Sequence, residues 1–391
     1  MMYQIKTYIL IILACASVLC LGSCRQDIVI WPSEQDWVGE IIEDSPIQGF
    51  YLLNEGTYPS NKSTLDFYDY TTATYTHNIY SATNPSVVMG LGDIGNSLKI
   101  YGSRLWAMVN GSNKVEVMEA SSARRIGQVD IDNPRHMCFH QGYAYVTSFA
   151  GPIVDDLLHS QLGLVVKIDT ATLEKVDTCI VGYQPEGLDI VGDKIYVANS
   201  GGYLYPNYDN TISVISLETF CEEKRISVAP NLKLIIGDAS GKLWVSSLGN
   251  YYDQSSALFC ISNLDENPIV KPVLLSQEQG LPVYDMVLVG DSLYVLSNDF
   301  SYVTEPRAHT YAIVDTRTAS VVNSNLIIDG TDQDIISPYA IAVHPISRDI
   351  LIADARNYLG PGTLFYYSSE GILKWKVRTG DIPGHFAFLY R

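Results

Sequence analysis

A short phrase recurs along this chain and returns once more at its C-terminal end. The internal copies are Asn133-Pro134-Arg135-His136-Met137-Cys138-Phe139, Gln184-Pro185-Glu186-Gly187-Leu188-Asp189-Ile190 and Ser337-Pro338-Tyr339-Ala340-Ile341-Ala342-Val343. The terminal copy is Ile382-Pro383-Gly384-His385-Phe386-Ala387-Phe388. Each internal copy precedes an apolar strand that ends in small or polar residues, such as Ile195-Tyr196-Val197-Ala198-Asn199-Ser200. The terminal copy precedes nothing, and the first repeat, Phe50-Tyr51-Leu52-Leu53-Asn54-Glu55-Gly56, has no phrase before it. A ring explains both anomalies: the C-terminus supplies the strand that the N-terminal repeat lacks.

Aligning the phrases gives seven units, starting near Gly49, Gly92, Asn133, Gln184, Pro230, Leu281 and Ser337. A unit holds four segments, the last more polar, and all alternate with a period of two. Four short antiparallel strands repeated at this spacing describe propeller blades, whose packing in a ring protects the sheet edges. The expectation is an all-β, seven-bladed β-propeller over residues 48–391, closed by a C-terminal strand completing the first blade. Apolar residues make up 47% and charged residues 17% of the chain, which suits a large buried core. The formal charge of −18 repels phosphate backbones and argues against a nucleic-acid partner.

The N-terminus reads as a targeting segment. Lys6 precedes an apolar run from Thr7 to Leu21, which ends in Leu21-Gly22-Ser23-Cys24. This spacing resembles a bacterial lipobox, which implies a lipoprotein signal peptide over residues 1–23 and lipid attachment at Cys24. An ordinary signal peptide or a membrane anchor is the alternative. Residues 24–47 read as an acidic tether, with Trp31 and Trp37 suggesting that part of it docks on the body. The remaining cysteines, Cys138, Cys179, Cys221 and Cys260, show no metal or redox spacing. Buried thiols are expected, with a Cys179–Cys221 bridge as the alternative.

The words Lys194-Ile195-Tyr196-Val197-Ala198-Asn199-Ser200, Thr211-Ile212-Ser213-Val214-Ile215 and Ala144-Tyr145-Val146-Thr147-Ser148 resemble the YVTN-type propeller family. With a lipobox, a tether and the opening Gly49-Phe50-Tyr51-Leu52-Leu53-Asn54-Glu55-Gly56, the chain is similar to propeller lipoproteins of Bacteroidota, most of all the BtuG-type cobalamin-binding surface proteins. The resemblance implies capture of a corrinoid (vitamin B12) and its transfer to a TonB-dependent outer-membrane transporter of BtuB type. It implies no intrinsic cofactor, no catalysis and surface exposure, although Arg25-Gln26 precede the first acid after Cys24.

Propeller geometry sorts the candidate residues. The connections from second to third strands open on one face, and here they are long and rich in Tyr, Asn and Asp. Candidates from these and neighbouring loops are Tyr58, Asn113, Phe149, Tyr203, Tyr205, Tyr208, Asn250, Tyr251, Tyr252, Phe300, Tyr302, Arg356, Asn357 and Tyr358. Tyr and Phe offer flat area at low entropic cost, and Asn and Asp add adaptable hydrogen bonds, a mixture that suits an amide-fringed corrin ring. The bland alternative is that the aromatics pack the loops onto one another. A second cluster, Arg135, His136, Glu186, Tyr284, Asp285, Tyr339 and His385, stands at the starts of first strands and should converge near the axis. Arg135, Glu186 and His385 are taken from it as ligand contacts. A lactonase- or lyase-type enzyme would place its acid and base there; a hydrated polar channel, or a protein-interaction platform, is the other reading.

Overall fold

The computed structural model describes residues 34–277, 279–297, 302 and 309–391. Among the described residues the strands form seven antiparallel sheets. Their inner strands are Pro383–Tyr390, Gly95–Tyr101, Pro134–His140, Pro185–Val191, Leu232–Gly237, Asp285–Val289 and Pro338–Val343. Each inner strand packs against its counterparts on both neighbouring sheets, so the seven blades close into a ring. Six of the seven unit starts fall within a few residues of these strands; the first, Gly49, falls instead in the second strand of its blade, Ile47–Asn54.

Burial explains the patterning. Second strands are covered on both faces by adjacent blades and are apolar throughout, as in Arg104–Val109, where every residue after Arg104 is buried. Fourth strands have one wet face and alternate, as in Glu222–Ser227, where only Ile226 is buried. The seams are filled by large side chains, among them Trp106, Trp244, Tyr51 and Tyr196, each at most 1% exposed.

Closure follows the sequence expectation. Pro383–Tyr390 pairs with Ile47–Asn54, placing Ala387 opposite Tyr51. Blade 1 also gains a fifth, outermost strand, Gln35–Trp37, which pairs with Thr74–Thr76. Residues 35–43 therefore lie on the body rather than hanging free of it. Backbone and side chains both attach them: the Tyr68 hydroxyl donates to the Val38 carbonyl at 2.9 Å, Arg391 Nη1 donates to the Glu43 carbonyl at 2.8 Å, Asp36 Oδ2 meets His77 Nε2 at 2.9 Å, and Gln35 Nε2 donates to Thr76 Oγ1 at 3.3 Å. Gly39 sits at φ +80°, and a Cβ there would lie 2.6 Å from Trp375 Nε1, so both conformation and space require glycine. Trp37 pairs with Thr74 through its backbone, but at 82% exposure its ring does not dock as the sequence suggested. Trp31, residues 1–23 and Cys24 lie outside the described residues. One feature has no counterpart in the sequence reading: a five-residue helix, Ile79–Thr83, between blades 1 and 2. Cys138, Cys179, Cys221 and Cys260 are free thiols; Cys179 and Cys260 are buried as expected, whereas Cys138 is half-buried and Cys221, on a polar outer edge, is exposed.

Candidate functional site

The phrase marks a kink in the strand. Where inner strands begin, the pairing register with the second strand shifts, between Gly95 and Ser97, Pro185 and Leu188, Leu232 and Ile235, and Pro338 and Ala340. The same shift occurs beside Pro134 and beside Pro383. A bulge leaves residues unpaired and re-aims their side chains. Here the re-aimed residues turn toward the axis.

One position per blade results: Asn96, Arg135, Glu186, Lys233, Tyr284, Tyr339 and Gly384 all line one cavity of about 690 Å³. His136, Asp285 and His385 join them one residue further on. On the blade that offers Gly384, Glu55 takes the vacant space, and a Cβ on Gly384 would lie 2.8 Å from Glu55 Oε1.

The floor made by these residues is internally paired. Arg135 grips the Glu186 carboxylate with its Nε at 3.0 Å and its Nη2 at 2.9 Å, and its guanidinium lies 4.9 Å above the Phe149 ring. His136 Nε2 approaches the other side of Glu186 at 3.6 Å. Burial acts to raise the Glu186 carboxyl, but Arg135 and His136 overcome it and hold it at about 2. Burial lowers His136. Glu55 accepts from the Tyr339 hydroxyl at 2.9 Å and meets His385 Nε2 at 3.1 Å. Lys233 Nζ donates to the Tyr284 carbonyl at 3.1 Å and stands 3.4 Å from the centre of its ring.

Above the floor rises an aromatic wall. Tyr205 packs against Tyr252 at 4.7 Å between ring centres, Tyr252 against Tyr302 at 5.4 Å, and Tyr205 against Tyr208 at 6.1 Å. Tyr251 stands 6.4 Å from Tyr302, whose backbone N–H donates to the Tyr251 carbonyl at 2.8 Å. Tyr203 leans on Phe149 at 6.3 Å. Burial pushes the Tyr208 hydroxyl up to about 12 and raises that of Tyr251.

The cavity thus unites the two clusters read separately from sequence. Arg135, Glu186, Tyr203, Tyr205, Tyr208, Tyr251, Tyr252, Tyr302 and His385 all line it. Phe149 stands behind Arg135, and Tyr358 behind Tyr339 at 5.9 Å. Three asparagines shape loops instead of the lining. Asn250 Oδ1 accepts from the N–H groups of Tyr252, Asp253 and Gln254. Asn113 Oδ1 accepts from Asn133 N–H, and Asn357 Oδ1 from Leu359 N–H. Tyr58 is 67% exposed away from the lining, and Arg356 borders a separate groove with Lys376 and Arg378. Phe300 lies outside the described residues. Sequence reasoning missed Glu55, Asn96, Asn110, Asn231 and Lys233. The repeat register could have found Asn96 and Lys233, which occupy the phrase position of Arg135. Among the described residues, no group of three or more His, Cys, Asp or Glu side chains is placed to hold a metal ion.

The sequence matches a family described as a domain of unknown function, DUF5074, over residues 48–367. The chain belongs to this family. No functionally curated protein matches it. Among solved structures it is similar to a quinoprotein alcohol dehydrogenase-like protein of Bacteroides thetaiotaomicron, at 15% identity and TM-score 0.58, covering 88% of this chain and 78% of that one. It is also similar to hydrazine synthase of Kuenenia stuttgartiensis, at 15% identity and TM-score 0.54, covering 74% and 88%. At such identity these likenesses establish the fold alone.

Proposed function

We propose that this DUF5074 propeller is a capture protein that binds a corrinoid in the axial cavity without turnover. In this reading Cys24 carries lipid, the chain sits on the outer-membrane surface, and the ligand passes to a TonB-dependent transporter of BtuB type. One observation carries the reading: a wall of tyrosines stands over a floor whose strongest charges are spent on each other. Arg135 is occupied by Glu186, and Glu55 by Tyr339 and His385. Such a site has broad apolar area and adaptable polar tips but little net charge to offer, which suits a large, neutral, amide-rich ligand.

Titration with cyanocobalamin tests it. Wild-type protein is expected to bind at micromolar concentration or better (about −8 kcal/mol) with no change in the ligand's spectrum over hours. Absence of binding removes the reading. The Glu55–His385 contact favours one alternative, acid–base chemistry on a lactone or similar substrate. Turnover abolished by Glu55→Gln but not by wall substitutions would identify an enzyme instead.

A further inference from the structure

Five ionised side chains line the cavity, and three are accounted for by the contacts above. The remaining two are Lys233 and Asp285. Lys233 has three N–H donors, of which the Tyr284 carbonyl takes one. No carboxylate lies within ion-pair distance of it among the described residues; the Tyr284 ring is a second contact, and Asp285, Glu55 and Glu186 act on it only from farther away. Asp285 follows Tyr284 in the chain, so its carboxylate stands one peptide unit from the carbonyl that holds Lys233. Its Oδ2 accepts from Ile341 N–H at 2.8 Å and the Met286 N–H also supports the carboxylate, which with about four lone-pair sites still has accepting capacity.

The geometry points to Lys233 and Asp285 as a donor–acceptor pair that receives a primary carboxamide of the ligand. Lys233 donates to the amide oxygen, and Asp285 accepts from the NH₂ group. A carboxamide fits better than a carboxylate because Glu55, Glu186 and Asp285 outnumber Arg135 and Lys233 along the lining. It fits better than an ammonium because Lys233 repels a cation. Burial disfavours both charges, lowering the Lys233 ammonium and raising the Asp285 carboxyl, and a polar neutral group laid between them relieves both costs. This inference rests on the capture reading for its full ligand, yet it makes a claim about the amide that can fail separately.

The test uses Lys233→Met and Asp285→Asn in the full chain, each first checked for a native circular-dichroism spectrum at the titration temperature. Calorimetric titration compares cyanocobalamin with its derivatives in which one propionamide is hydrolysed to a carboxylate. A parallel arm uses nicotinamide against nicotinate, followed by saturation-transfer NMR. Lys233→Met is expected to weaken cyanocobalamin about 10- to 100-fold, the cost of leaving a buried acceptor unpaired. Asp285→Asn is expected to narrow the gap between amide and carboxylate forms. Nicotinamide, not nicotinate, should bind wild type and lose its signal in Lys233→Met. If the corrinoid fails but nicotinamide behaves so, the amide site stands and the capture reading falls. If cyanocobalamin binds wild type and both variants within about twofold, the amide site falls and the capture reading stands. Protein that takes neither probe overturns both.

Discussion

The floor and the wall of the cavity are built in opposite ways. Floor residues sit at the bulged starts of inner strands, where sheet register fixes them, and their side chains are partly or wholly buried. Wall residues sit on loops and are wetter: Tyr203, Tyr205 and Tyr302 are 46%, 53% and 67% exposed, while Tyr208, Tyr251 and Tyr252 are half-buried. The floor pairs most of its polar groups with one another, whereas the wall presents tyrosine rings packed at tilted and edge-on angles. A preorganised floor can read a few polar groups at low reorganisation cost, and an open wall can settle on a broad surface. The contrast predicts that floor changes act on folding as well as binding, and wall changes on binding alone.

The sharpest break should come from Arg135→Ala. It leaves Glu186 buried and uncompensated, with only His136 beside it. Loss of one partner from such a pair costs about 3–5 kcal/mol. Chemical denaturation should show this as a lower midpoint with an unchanged slope. Arg135→Ala together with Glu186→Gln should recover part of the loss, since the stranded charge is then gone.

Acid should find the same pair next. Glu186 is held at about 2, below its ordinary value near 4.5, so its folded form resists protonation. A depressed carboxyl contributes stability above its unfolded pKa and loses it as pH falls through the folded one. His136, lowered by burial, adds in the same direction, because the unfolded chain takes up the proton more readily. Stability should therefore fall from His136's ordinary range downward, and most steeply between about pH 4.5 and pH 2. Glu186→Gln should flatten the lower part of that profile; an unchanged acid limb would remove the pair from the ledger of folding.

Most of this ring could be read in the chain before any coordinates. The phrase located inner strands because proline and bulge recur together, and closure followed from a copy with no strand after it. The tyrosines were legible because long Tyr-rich connections fall on one side of a propeller. Lys233 was hidden because its copy, Asn231-Leu232-Lys233, lacks proline. Glu55 was hidden because its role depends on the missing side chain of Gly384, a complementarity across 329 positions that no local pattern records. Asn113, Asn250 and Asn357 looked like ligand contacts because the residues that bind amides are the same residues that cap tight turns. The strand Gln35–Trp37 is too short and too polar to announce itself, and its partner strand Thr74–Thr76 lies about 40 positions away with no local pattern linking the two.

Gly384→Ala sharpens the floor's side of the comparison at smaller scale. The added methyl meets Glu55 Oε1 at 2.8 Å and must push it from His385 or shift the closing strand. Overpacking of this kind costs about 1–3 kcal/mol. Glu55→Ala in the same background should restore much of it if the clash is with that side chain, and none if the strand itself has moved.

Tyr205→Ala makes the smallest expected change in stability and the most telling one for the wall. Its ring touches Tyr252 and Tyr208 but is half exposed, so its removal opens no closed cavity and strands no buried charge. Denaturation midpoints should stay within about 0.5 kcal/mol of wild type. Cyanocobalamin affinity should nonetheless fall about tenfold, because an aromatic platform contributes area that no neighbour replaces. Phenylalanine at the same position keeps the ring and should keep most of the affinity. A Tyr205→Ala protein that loses as much stability as Arg135→Ala would mean that the wall holds the blades together rather than awaiting a ligand. The division between a folded floor and a receptive wall would then have no physical basis.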